Sequence, residues 1–139
     1  MSKKRIPATR LRVQAFDSEA LSRAVRGDRE MIARIVVAAE LASAVVTSPM
    51  TLVEAHDGRT SDSRWDWVLS RMTVPELGKD QARAARTLLA ATGLHGHKYA
   101  IDAVLAVVAN AQAGEVTVYT SDVDDLERLV DPRVVVHAI

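Results

Sequence analysis

Tyr99-Ala100-Ile101-Asp102-Ala103-Val104-Leu105-Ala106-Val107-Val108-Ala109 carries a single charged side chain, Asp102. Apolar on every side, the stretch reads as a buried helix rather than a surface one. An unpaired carboxylate in such a helix is costly, so Asp102 must be neutralised, used as a cap, or bound to a cation. Shortly downstream, Val116-Thr117-Val118-Tyr119-Thr120-Ser121-Asp122 reads as a β-branched strand that ends on a second acid. Two acids presented in this way point to a metal site more than to a folding device.

Composition narrows the class. A chain of 139 residues argues for one compact domain. With two Trp, two Tyr and one Phe, the core must be built from Ala, Val, Leu and Ile. The absence of cysteine excludes disulfides and thiolate metal sites and fits a reducing cytoplasm. No apolar run reaches the roughly 18 residues of a membrane span. No apolar segment follows the charged start, so no signal peptide is expected. The formal net charge is zero, which argues against gripping nucleic acid through bulk charge. The charges are polarised, however: Lys3, Lys4, Arg5, Arg10 and Arg12 crowd one end, and Asp122, Asp124, Asp125, Glu127 and Asp131 the other.

Outward from the apolar helix, the chain alternates. Residues 1–10 read as a basic, flexible tail. A first strand is expected over Arg12–Phe16, ending at Asp17, then a short helix over Ser18–Val25 closed by Gly27. Asp28 caps a helix from Arg29 to about Ser43, with Met31, Ile32, Ile35, Val36, Ala39 and Leu41 as its apolar stripe. A short buried strand follows over Ala44–Thr47. Ser48 caps, and Pro49 opens, a helix ending at Glu54. The polar stretch His56–Ser63 is a loop, Arg64–Arg71 a helix, Thr73–Pro75 a brief edge strand, and Lys79–Thr92 a helix stopped by Gly93. His95-Gly96-His97-Lys98 is expected to be a loop before the apolar helix. A helix over Val123–Val130 and a strand over Arg133–His137 complete the pattern. Such alternation implies a parallel sheet covered by helices on both faces, with ligands gathering beyond the carboxyl ends of the strands.

Four acids stand in a telling order: Phe16-Asp17-Ser18, Leu52-Val53-Glu54, Ala100-Ile101-Asp102-Ala103 and Thr120-Ser121-Asp122. Over residues 11–139 the chain resembles the PIN-domain family, and within it the VapC-like toxins of bacterial toxin–antitoxin pairs. The most specific pieces are Ala100–Ala103 and Val118-Tyr119-Thr120-Ser121-Asp122-Val123-Asp124-Asp125-Leu126. Gln14 departs from the pattern, standing where the family has an aliphatic residue. The resemblance implies an α/β three-layer sandwich with a central parallel sheet of about four to five strands. It implies a metal-dependent endoribonuclease with Asp17, Glu54, Asp102 and Asp122 as the acidic quartet and Asp125 as a fifth candidate ligand. Mg²⁺ or Mn²⁺ suits such oxygen donors, and two ions roughly 3.5–4 Å apart can activate water and stabilise a leaving oxygen. Lys98, His97, Ser18 and Ser121 are the candidate substrate contacts. A cytoplasmic homodimer restrained by a cognate antitoxin is the further implication.

Plainer readings compete. Asp17 and Asp122 each precede a helix and can be N-caps; Asp102 can favour its helix dipole. The alternative function is a catalytically silent PIN-fold module that binds RNA or protein. His95 and His97, with no third soft ligand nearby, are a weak metal signal. Trp65 and Trp67 cannot share a helix face, so one is expected in the core and one at the surface.

Overall fold

The computed structural model describes residues 11–139; the basic tail of residues 1–10 lies outside them. Four strands form one sheet: β1 (Arg12–Phe16), β2 (Ala44–Val46), β3 (Glu115–Thr120) and β4 (Val135–Ala138). Their order is β2-β1-β3-β4, and every pairing is parallel. Val13 lies opposite Val116, and Ala15 opposite Val118 and Val46, so side-chain alternation is in phase across the sheet. Helices α1 (Ser18–Val25), α2 (Arg29–Glu40), α3 (Pro49–Glu54), α4 (Asp62–Ser70), α5 (Lys79–Thr92), α6 (Gly96–Asn110) and α7 (Val123–Leu129) fill the connections.

The alternation sorts the helices into two layers. Phe16 and Val45 point to one face and pack with Leu21, Val25, Met31, Ile35 and Val68 from α1, α2 and α4. Val13, Ala15, Val46, Val116 and Val118 point to the other and pack with Leu105, Val108 and Leu126 from α6 and α7. Outside α6 lies α5, held by Ala85, Leu88 and Leu89 against Ala103, Val104 and Ala106. This second shell explains why α6 is apolar all round. It is covered by the sheet on one side and by α5 on the other. The result is the expected three-layer α/β sandwich with a four-stranded parallel sheet.

Several boundaries differ from the sequence reading. The expected loop His95–Lys98 is the first turn of α6, with His95 at the N-cap. α2 ends at Glu40 because Ala42 adopts a left-handed conformation, φ 53°, and Ser43 N–H bonds back to Ala38 C=O at 2.8 Å. The inner line of α2 is Met31, Ile35 and Ala38. Val36, Ala39 and Leu41, expected in its apolar stripe, are exposed instead, because the sheet contacts only the line four and seven residues from Met31. α4 begins at Asp62, two residues early, under a Ser61 cap. The expected edge strand at Thr73 is a single parallel bridge to Val46. Trp65 is half-buried and donates Nε1–H to Thr60 Oγ1 at 3.0 Å, while Trp67 is exposed.

Candidate metal centre

All four strands run the same way, so their carboxyl ends share one edge. Asp17 follows β1 and Asp122 follows β3 at that edge. Asp17 N–H extends the ladder to Tyr119 C=O at 3.2 Å, which fixes the acid beside the end of β3. Its carboxylate does two jobs. Oδ1 accepts Ala20 N–H at 2.8 Å and caps α1; Oδ2 accepts Ser121 N–H at 3.2 Å. The Thr120 hydroxyl, fully buried between the two acids, bonds to Asp17 and accepts Asp122 N–H at 2.8 Å. Asp17 is 5% exposed; burial raises its pKa above the usual carboxylate value, against these hydrogen bonds.

The chain returns to this edge through helices. α6 runs into β3 and is therefore antiparallel to the sheet, so its N-terminal half reaches the carboxyl edge and carries Asp102 there. α7 starts from the same edge, and Asp122 and Asp125, three apart, share one side of it. Carboxylate oxygens of Asp102, Asp122 and Asp125 all lie within 4.8 Å of one another. No other such group of metal-ligating side chains occurs among the described residues, so His95 and His97 form no site of this kind. Glu54, at the last position of α3, is exposed. It stands outside the tight trio but close enough to act on the charge of Asp102.

Asp102 records the crowding. Its pKa is raised to about 7, first by burial, then by the negative charges of Asp122, Glu54, Asp125 and Asp17. Four acids thus face one half-buried carboxyl, with no Lys or Arg ion-paired to any of the five among the described residues. The capping explanation fails for two of the acids. Asp102 sits well inside α6, whose N-cap is His95. Asp122 occupies an N-cap position but makes no capping bond. The donor set is all oxygen and strongly anionic, which is the chemistry of a hard divalent cation site.

The candidate substrate contacts surround this cluster unevenly. Lys98 is exposed on the first turn of α6, one turn before Asp102 and on the same side of the helix, its Nζ 5.1 Å from the Tyr99 ring centre. His97 is exposed and lies further round the helix. Ser18 opens α1 next to Asp17, and Ser121 contributes its backbone N–H as described. Thr120 escaped the sequence reading, since a buried threonine closing a strand looks like ordinary β-branched filling.

No known protein-family profile matches the sequence, and no curated protein matches it. Among solved structures, the chain is similar to one in the crystal structure of VapBC2 from Rickettsia felis bound to a DNA fragment from their promoter. The match covers 91% of this chain and 98% of that one, with a TM-score of 0.63 and 14% sequence identity. At this identity the likeness is one of fold, and the fold is PIN-like.

Proposed function

We propose that the chain is a Mg²⁺- or Mn²⁺-dependent endoribonuclease that cuts RNA phosphodiesters, of the toxin class found in toxin–antitoxin pairs. The observation that carries this reading is the convergence of Asp102, Asp122 and Asp125 within 4.8 Å, at the edge where Asp17 is also anchored. Asp17, Glu54, Asp102 and Asp122 form the catalytic acids, and Asp125 adds a fifth ligand. These carboxylates would hold a divalent ion, whose chemistry when bound would be to activate a water and stabilise the leaving oxygen. The protein's own part is positioning. Thr120 and the Ser121 N–H hold Asp17 still, α6 delivers Asp102 from a covered helix, and α7 aligns Asp122 with Asp125. Lys98 meets the incoming phosphate one turn before Asp102, with Ser18, Ser121 and His97 as the further proposed substrate contacts.

The partner reading follows from the same fold. The similar Rickettsia felis chain comes from a VapBC2 structure bound to a promoter DNA fragment, and a cognate antitoxin is proposed here, together with a homodimer. No helix among the described residues is long and apolar enough to cross a membrane, which fits the proposed cytoplasmic location. The deciding experiment is cleavage of a fluorescent single-stranded RNA by purified protein. Cutting with Mg²⁺ or Mn²⁺ that stops with EDTA is expected. RNA binding without cutting under every metal condition would favour the silent module instead.

A further inference from the structure

The acid cluster continues on its Glu54 side into a second concavity. Between α1 and the loop joining α3 to α4 lies a hollow of about 410 Å³, within the roughly 300–1,000 Å³ typical of small-ligand sites. It shares Glu54 with the cluster, and its wall includes Ser18, the residue after Asp17. Ser18, Ser22 and His56 furnish hydroxyl and imidazole groups that both donate and accept hydrogen bonds. The other carboxylates of the hollow are already paired. Glu19 Oε1 accepts from Arg23 Nε at 3.0 Å and Arg26 Nη2 at 3.3 Å. Asp57 takes Arg59 Nη2 at 2.7 Å and Nε at 3.0 Å, and its Oδ1 also accepts the Arg59 backbone N–H at 2.9 Å.

These pairings leave the arginines only partly used. The side chains of Arg26 and Arg59 are 41% and 82% exposed, and each guanidinium carries five N–H donors, most of them still free to face solvent. The hollow is therefore polar inside, with Arg59 in its wall and Arg26 tied to its wall through Glu19, directly beside the proposed cutting site. Glu54 would repel a phosphate placed inside it, whereas a base or ribose carries no charge. Phosphates belong at the rim, where Arg26 and Arg59 meet them with charge-assisted bonds.

We propose that this hollow is a nucleotide subsite. It takes the base and ribose of the residue adjoining the scissile phosphate of single-stranded RNA, while Arg26 and Arg59 hold the next phosphate along. Ser18, Ser22 and His56 hydrogen-bond to that residue and bias which nucleotide sits beside the cut. The strand must be single, since a base locked in an A-form duplex cannot be turned into a side pocket. The inference rests on the ribonuclease reading above.

Ser22→Leu fills the hollow with a good helix former, and His56→Ala removes a donor from an exposed loop position. Kinetics on single-stranded oligoribonucleotides that differ only beside the cut are the readout, with Mn²⁺ binding followed by electron paramagnetic resonance. Ser22→Leu is expected to lower kcat/KM about tenfold or more, through KM, with Mn²⁺ affinity unchanged. His56→Ala is expected to flatten the preference among the oligonucleotides. Cleavage by both variants with wild-type kcat/KM and wild-type preference overturns the subsite. If the wild-type protein neither binds Mn²⁺ nor cuts RNA, the ribonuclease reading falls separately. The subsite then stands or falls on fluorescence anisotropy with the same labelled oligonucleotides: about tenfold weaker binding by Ser22→Leu supports it, and equal binding overturns it.

Discussion

Asp102 and Asp17 are both acids at one edge, yet they answer to different physics. Asp102 holds no cap, so Asp102→Asn should keep the fold, measured by circular dichroism, while abolishing RNA cleavage and weakening Mn²⁺ binding at least about tenfold. Its raised pKa, about 7, also sets a direction with pH. The native state holds a proton on Asp102 more tightly than the unfolded chain does. In EDTA, stability should therefore be greatest near pH 4 and fall as pH rises towards about 7, then level off. The loss should be on the order of 1–2 kcal/mol, allowing for solvent screening at this half-exposed site. Melting temperatures across that range should show the decline in wild type and a flatter profile in Asp102→Asn. Metal binding moves the opposite way, strengthening as pH rises through about 7, because the ion needs the carboxylate ionised. Asp17 is the contrasting case. It caps α1 through Ala20 N–H, so Asp17→Ala should cost about 0.5–2 kcal/mol in denaturant unfolding. Asp122→Ala, which removes no capping bond, should be nearly neutral or stabilising in the absence of metal.

At the scale of elements, α2 shows what a one-dimensional pattern can hide. Its apolar residues Val36 and Leu41 read as core, yet they are 42% and 59% exposed. A helix rich in apolar side chains offers more than one plausible inner line, and only the neighbouring sheet chooses between them. The C-terminus of α2 was equally hidden, because Ala42 supplies a left-handed turn that glycine usually signals. Ala42→Gly should remove that strain and raise stability by about 0.5–1 kcal/mol, measured by urea unfolding. Other elements were legible because their chemistry is local. Ser48 before Pro49 marks the start of α3, and Ser48 Oγ does accept Thr51 N–H at 3.0 Å. Gly93 marks the end of α5 with φ 69°. The strand-end acids could be read for the same reason, since a parallel sheet sends every strand's carboxyl end to one edge. The hollow beside Glu54 could not, because it arises from packing between α1 and a loop more than thirty positions away, which no periodicity records.

The whole molecule couples its charge to its stability. Acids gathered without ion-paired partners repel one another, and a cation that binds only the folded chain relieves that repulsion. Mn²⁺ at about a hundredfold excess over its Kd should add about 2.7 kcal/mol, a rise of several degrees in Tm. Asp102→Asn should gain little, and equal shifts in both proteins would place the ion elsewhere. The all-parallel topology carries a last consequence. No two neighbouring strands are joined by a hairpin, and the bond from Ser121 N–H to Asp17 spans 104 positions. A ribosome making this chain therefore delivers the first acid long before its companions. Under the proposed ribonuclease reading, the nascent protein cannot cut the message being translated until β3 and α7 have left the exit tunnel and closed on β1. On the same reading, that interval, fixed by the rate of elongation, is the time in which the proposed antitoxin can be present before the acid cluster is assembled.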